Sequence, residues 1–280
     1  MRNKNRFEKK ATSIDGKKVL YWQKNNNKRK TIVFLHGFPG SHGGLVDLAN
    51  GLSEYRLVIP DLPGCGRSEP LLNDPDLKNY AKWLHDFLDE LSLDQIILIG
   101  HSFGSRLSLV FSELYPKKLE NMILITPVVN VEGLIARSAS IEYKLAEILP
   151  KNLQKMWLSN RIYQGLAHII TFKTSSPIRR NKLIAKDRMN YELIDPDTTI
   201  GIFEEFYRQS LIPEAKKIKT NTLVIAGDKD EIAPLVSVKE LSNNIIHSEM
   251  FVMKNAGHLV VLESPLSTAT IIRKWLKEQL

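Results

Sequence analysis

The chain has 280 residues, 43% of them apolar and 25% charged, a globular balance that excludes a disordered, fibrous or membrane-embedded protein. Lys and Arg number 39 against 31 Asp and Glu, a net charge of +8. The cations stand in short dispersed runs at 28–30, 179–180 and 216–217 with no interleaved aromatics, which describes a solvated basic surface and no nucleic-acid footprint.

In chain order, the first ten residues are basic and lead into polar sequence, so no signal-peptide core is expected. No apolar run reaches the roughly 18 residues of a membrane-spanning helix. Cys65 is the only cysteine, which excludes an intrachain disulfide and a thiolate zinc site and suits a reducing cytosol, so the expected location is cytoplasmic. Residues 13–23 carry Asp15-Gly16 between two extended stretches and predict a hairpin. Segments 31–36 (TIVFLH), 56–60 (RLVIP), 95–100 (QIILIG), 121–126 (NMILIT) and 222–227 (TLVIAG) are near-continuously apolar between turn residues, as strands of a parallel sheet covered on both faces are.

Between them, a helix is predicted with Asp74 as cap and Pro75 at its first position, its stripe formed by Leu77, Tyr80, Ala81, Leu84, Phe87, Leu88 and Leu91. A second runs over 102–114 and stops before Pro116, and a third opens at Ser264-Pro265 and carries Leu266, Ala269, Ile272 and Leu276. Strand and helix alternate, so the class is α/β with right-handed crossovers. From about 128 to 214 the rhythm breaks into amphipathic patterns at 134–149, 161–172 and 198–211, which predicts a helical insertion. Its place between two sheet strands sets it over the sheet's active edge like a lid.

Residues 100–104 (GHSFG) fit G-x-S-x-G between an apolar strand and an amphipathic helix, where a nucleophilic serine, Ser102, is expected on a strained turn. The helix after it aims its N-terminus at the reacting centre, and the Phe103 N–H can donate to a developing oxyanion. Residues 35–40 (LHGFPG) close an earlier strand with a glycine-rich turn, from which the Phe38 N–H can serve as the second donor; His36 is expected to hold this loop. Residues 227–234 (GDKDEIAP) offer two carboxylates, Asp228 and Asp230, and residues 255–258 (NAGH) place His258 on a loop before the last helix. The other histidines, His42, His85, His101, His168 and His247, fit no metal-binding spacing, and neither metal nor organic cofactor is expected.

With these motifs in this order the chain resembles the α/β-hydrolase family over residues 13–280, and residues 61–68 (DLPGCGRS) add a further family-like signature. The resemblance implies an eight-stranded, mostly parallel sheet flanked by helices, with a core of 1–127 and 215–280 and a helical cap, 128–214, inserted after the sixth strand. The family's G-x-x-D-x-x-x-P pattern selects Asp230 over Asp228. Ser105 stands where the family often has a second glycine, which should tighten packing under the nucleophile, and Cys65 replaces an aromatic or histidine and is read as structural.

The implied mechanism is acyl transfer: His258 takes the Ser102 proton, Asp230 orients the imidazole, and the Phe38 and Phe103 amides hold the oxyanion. A serine nucleophile separates the chain from the dehalogenase and epoxide hydrolase branches, which use aspartate. The expected partner is a small-molecule carboxylic ester or lipid, and Trp157, Tyr163, His168, Phe172, Phe203 and Tyr207 are candidates for an apolar acyl pocket or for internal packing of the cap. Glu204 and Glu205 could hold a substrate amine, as in proline iminopeptidase relatives, although Phe38 departs from their HGGPG turn. Arg106 is similar to an arginine of the menaquinone-pathway members, although a helix arginine also pairs with acids. A carbon–carbon bond hydrolase and a lid-closing binding protein without turnover are the remaining alternatives.

Overall fold

The computed structural model describes residues 6–130, 143–158, 171, 173, 181, 183–185, 193, 195–208 and 210–279. Eight strands form one sheet: β1 (Glu8–Ile14), β2 (Lys17–Lys24), β3 (Thr31–Leu35), β4 (Arg56–Pro60), β5 (Ile96–His101), β6 (Leu119–Ile125), β7 (Thr222–Gly227) and β8 (Ser248–Met253). Their spatial order is β1-β2-β4-β3-β5-β6-β7-β8. The β1–β2 and β2–β4 pairs are antiparallel and every later pair is parallel. The expected mostly parallel eight-stranded α/β architecture is therefore the one observed. The hairpin also forms, with Asp15 and Gly16 both at positive φ as a tight two-residue connection requires. Its first strand starts at Glu8, earlier than the apolar pattern suggested, because an exposed edge strand needs no buried face to declare it.

The continuous apolar runs are explained by what covers the sheet. Successive side chains of a strand point to opposite faces, and here the two sets enter different layers. Val33 and Leu35 of β3, Leu98 of β5 and Leu124 of β6 pack in one cluster, whereas Ile32, Phe34, Ile97, Ile99, Ile123 and Ile125 pack in the other. The helices are α1 (Val46–Asn50), α2 (Leu77–Glu90), α3 (Phe103–Leu114), α4 (Lys151–Leu158), α5 (Pro196–Arg208), α6 (Ile212–Ala215), α7 (Leu235–Asn244), α8 (Val260–Glu263) and α9 (Pro265–Glu278). Residues of α2, α3 and α7 fill the first layer, and those of α1, α8 and α9 the second.

Helix α2 starts two residues later than the Asp74-Pro75 pair predicted. Asp76 is the cap: its carboxylate accepts the Asn79 N–H at 2.7 Å, while Pro75 stays outside. Both aspartates of the D-P-D run suit a helix start, but only Asp76 lies three residues before an amide that it can satisfy. Within α2, Tyr80 is fully buried, its hydroxyl donating to Pro63 O at 2.8 Å and its ring meeting Phe103 edge-on at 5.4 Å. The chain between β6 and β7 contributes α4, α5 and α6, with α5 covering 198–208 of the helical pattern expected at 198–211; Ser210 and Leu211 lie outside the helix. The pattern at 161–172 lies almost wholly outside the described residues, as does much of 134–149. Among the described residues, no helix is long and apolar enough to cross a membrane.

Candidate active site

Strand β5 passes into α3 through Ser102, whose backbone sits at φ 54°, ψ −114°. That conformation costs a non-glycine residue about 1–3 kcal/mol and persists only where its surroundings enforce it. The flanking glycines let those surroundings close in. A Cβ on Gly100 would lie 2.3 Å from Gly104 O, and one on Gly104 would lie 2.2 Å from Leu35 O, so neither position admits a side chain. Ser105 does tighten the turn: its buried hydroxyl lies 2.8 Å from Gly100 O and 3.2 Å from Ile125 O, tying the helix start to β5 and β6.

Asp230 and His258 follow β7 and β8, whose parallel pairing brings their C-terminal ends level with that of β5 through β6. Oδ1 of Asp230 accepts the Ile232 and Ala233 amides at 2.8 and 2.9 Å, which fixes the carboxylate plane. Oδ2 then lies 2.9 Å from His258 Nδ1, and His258 Nε2 lies 2.9 Å from Ser102 Oγ. All three side chains are buried. Burial alone would push the Asp230 carboxyl up; the His258 imidazole and the two amides outweigh it and hold it below its ordinary range. Asp228 instead accepts the Ala256 amide at 3.2 Å, so it braces the histidine loop and stays outside the constellation.

Two residues escaped the sequence reading. His101 Nε2 and Thr126 Oγ1 lie 3.1 and 3.0 Å from His258 O, and both donate to it. This carbonyl lies in the backbone of the histidine itself, so the two donors fix where its ring starts. Burial, reinforced by the neighbouring His258, lowers the His101 pKa to about 3, which keeps it a neutral donor. The partners are 157 and 132 residues apart in sequence, and nothing local announces them.

A cavity of about 470 Å³ opens on Ser102 and His258, with Phe38, Leu259 and Leu262 on its walls. Phe38 and Ser102 thus border the same cavity. Phe103 turns its ring into the core against Tyr80 and Phe206, so what it can bring to Ser102 is main chain. His36 holds its loop as expected: Nδ1 donates to Gly37 O at 2.8 Å and Nε2 accepts the Leu62 N–H at 2.9 Å. Burial lowers its pKa, consistent with a neutral structural ring. Cys65 is buried, and burial pushes its thiol well up, as an inert loop residue requires.

Of the candidate pocket residues between β6 and β7, Tyr163, His168 and Phe172 lie outside the described residues. Phe203 stacks on Tyr143 and meets Phe38 edge-on, and Phe203 and Tyr207 border a separate cleft of about 380 Å³. Neither they nor Trp157 lines the Ser102 cavity. Glu204 and Glu205 both reach Arg208, and Glu205 is buried with the Leu77 N–H at 3.2 Å, so these acids are engaged within α5 and with the start of α2. Arg106 is fully buried and donates to the carbonyls of Val128, Val129 and Glu205 at 3.0, 3.1 and 2.8 Å, beneath the Phe206 ring. Burial lowers its pKa to about 10, so it stays charged and joins α3 to α5.

The sequence of residues 30–265 matches the family model for the alpha/beta hydrolase fold. The chain belongs to the α/β-hydrolase family. This α/β-hydrolase is 27% identical over 275 residues to Lipase 1 of Psychrobacter immobilis, covering 96% of this chain and 84% of that protein. It is 25% identical over 275 residues to Lipase 3 of Moraxella sp. (strain TA144), with the same coverage of 96% and 84%. In fold it is similar to a thermophilic esterase from Thermogutta terrifontis, at a TM-score of 0.81 and 20% identity over 98% of this chain and 99% of the other.

Proposed function

We propose that this α/β-hydrolase cleaves carboxylic esters through a covalent acyl-enzyme on Ser102. One observation carries the reading: an unbroken line of short contacts from Asp230 through His258 to Ser102 Oγ, ending at a cavity. With Nδ1–H given to Asp230, His258 Nε2 is the acceptor for the serine proton. Ser102 Oγ attacks the ester carbonyl as its proton passes to Nε2, and the Phe38 and Phe103 amides receive the oxyanion. His258 returns the proton to the departing alcohol, and water deacylates the enzyme by the same route. Asp230 holds the tautomer and stabilises the imidazolium. In this reading the segment 128–214 is the cap over this site and the rest is the core, since the chain leaves β6 at Ile125, whose carbonyl accepts the Ser102 amide at 3.0 Å. The likeness to lipases and esterases supports an ester or lipid substrate.

The test is turnover of p-nitrophenyl esters from acetate to palmitate beside a proline anilide, with product counted per enzyme and Ser102→Ala as control. Serine-dependent multiple turnover of an ester is expected, with Ser102→Ala lower by at least about a thousandfold. Near-normal turnover in that variant refutes the nucleophile, anilide preference makes the protein a peptidase, and stoichiometric capture without release makes it a binding protein.

A further inference from the structure

The cavity does not end at the serine. It runs across the C-terminal edge of the sheet to the antiparallel side, where Lys9, Trp22, His42 and Arg67 border it. Lys9 and Trp22 are cross-strand partners on β1 and β2, and the Trp22 ring stacks on His42 at 3.2 Å between centroids and 6° between planes. His42 is held by Asp61, whose Oδ1 accepts both the His42 amide and its Nδ1–H at 2.8 Å. Oδ2 of Asp61 accepts the Arg67 amide at 3.0 Å. Among the described residues the one carboxylate bordering the cavity is thus fully buried and spent on His42 and the Arg67 amide. Elsewhere many cations are neutralised, as Lys10 by Glu8, Lys82 by Asp86 and Lys217 by Glu113. Among the described residues neither Lys9 nor Arg67 has such a partner, and His42 Nε2 has no protein acceptor or donor.

We infer that this end of the cavity is an anion subsite, in which Lys9 and Arg67 with His42 select esters carrying a carboxylate or similar anion at the end remote from the scissile bond. The inference rests on the ester-hydrolase reading and names its substrate class. The near half of the cavity is apolar, with Phe38, Leu259 and Leu262, so the favoured substrate is amphipathic. Its length follows from the sheet. Arg67 follows β4, two strands from β5, and Trp22 lies on β2, three strands away. At the usual strand spacing the anion sits roughly 10–14 Å from Ser102, a span that a decanedioate chain covers.

The experiment compares the p-nitrophenyl monoester of decanedioic acid with its neutral ω-carboxamide twin, and the butyrate ester of ω-hydroxydecanoic acid with that of ω-hydroxydecanamide. The pairs differ only in charge and place the anion on the acyl or the alcohol side. In at least one pair the acid is expected to lead by about tenfold in kcat/KM at low salt, through KM, and the lead should shrink as salt screens it. In Lys9→Gln/Arg67→Gln the ratio should fall to about one. Equal rates for acid and amide in both pairs, or a preference that survives the double substitution, overturns the subsite. If no ester is turned over in a serine-dependent way, the hydrolase reading fails instead. Calorimetric binding of the methyl monoester of decanedioic acid and of its amide twin to Ser102→Ala then decides the subsite alone: tighter binding of the acid upholds it and equal affinity overturns it.

Discussion

Replacing Asp230 by Asn probes the line from carboxylate to serine at its most constrained point. Oδ1 is pinned by the Ile232 and Ala233 amides, so an asparagine must keep its oxygen there and present its NH2 where Oδ2 now lies 2.9 Å from His258 Nδ1. That NH2 needs an acceptor, so His258 must carry its proton on Nε2. The ring then faces Ser102 with a donor and no longer accepts the serine proton. A wrong-tautomer substitution of this kind lowers kcat by about 10⁴ in the chymotrypsin-type triad, and roughly 10³–10⁴ is expected here, about 4–5.5 kcal/mol of lost barrier reduction. Asp228→Asn keeps an oxygen for its single Ala256 amide and should stay within about threefold of the native enzyme. Steady-state kinetics on p-nitrophenyl butyrate, with circular dichroism to verify folding, gives the ranking. A folded Asp230→Asn within tenfold of native, or an Asp228→Asn that is the more damaged, refutes the assignment.

Gly104→Ala drives a methyl to 2.2 Å from the β3 carbonyl of Leu35, and should cost several kcal/mol or prevent folding, read as the urea midpoint; a near-native midpoint would show that the turn can relax. Thr126→Ala removes one of the two donors to the His258 carbonyl and should lower kcat about tenfold with KM little changed, while Thr126→Ser restores it. Equal loss in both variants would place the effect in the backbone rather than the hydroxyl. His101 is neutral in the fold because burial depresses its pKa from 6.5 to about 3, so its contribution is complete above 6.5 and is lost as pH falls toward 3. Over that window it should cost roughly 1.4 kcal/mol per pH unit. His101→Gln, which keeps a donor, should remove about one proton from the pH slope of the urea midpoint, and an unchanged slope contradicts the neutral buried ring.

The central strands along the chain, the serine turn and the acid and histidine loops were legible because each is written locally. A buried parallel strand reads as an apolar run, G-x-S-x-G marks a turn where Gly100 and Gly104 admit no side chain, and Asp230 and His258 follow strands that can be seen to end. What stayed hidden is relational. The choice between Asp74 and Asp76 depended on which carboxylate reaches an amide, and the choice between Asp228 and Asp230 needed a family pattern until the Ala256 and His258 contacts separated them. The link from His101 and Thr126 to His258 joins segments that touch only after the sheet closes. Arg106 was ambiguous because its partners are mostly backbone carbonyls, which carry no side-chain signature.

On the proposed triad, the distances along the chain between Ser102, Asp230 and His258 make chemical competence a late property of synthesis and folding. The serine turn can be complete while the chain is still emerging, yet its histidine lies 156 residues further on and is aligned only once β8 has paired beside β7. Non-local parallel pairing of this kind is slow to form. A half-made molecule therefore carries a strained serine without its proposed base, and recovered turnover after dilution from denaturant should lag behind recovered helical signal. On that proposal, activity in this molecule reports closure of the sheet's far edge, and a ribosome must have passed residue 258 before hydrolysis can begin.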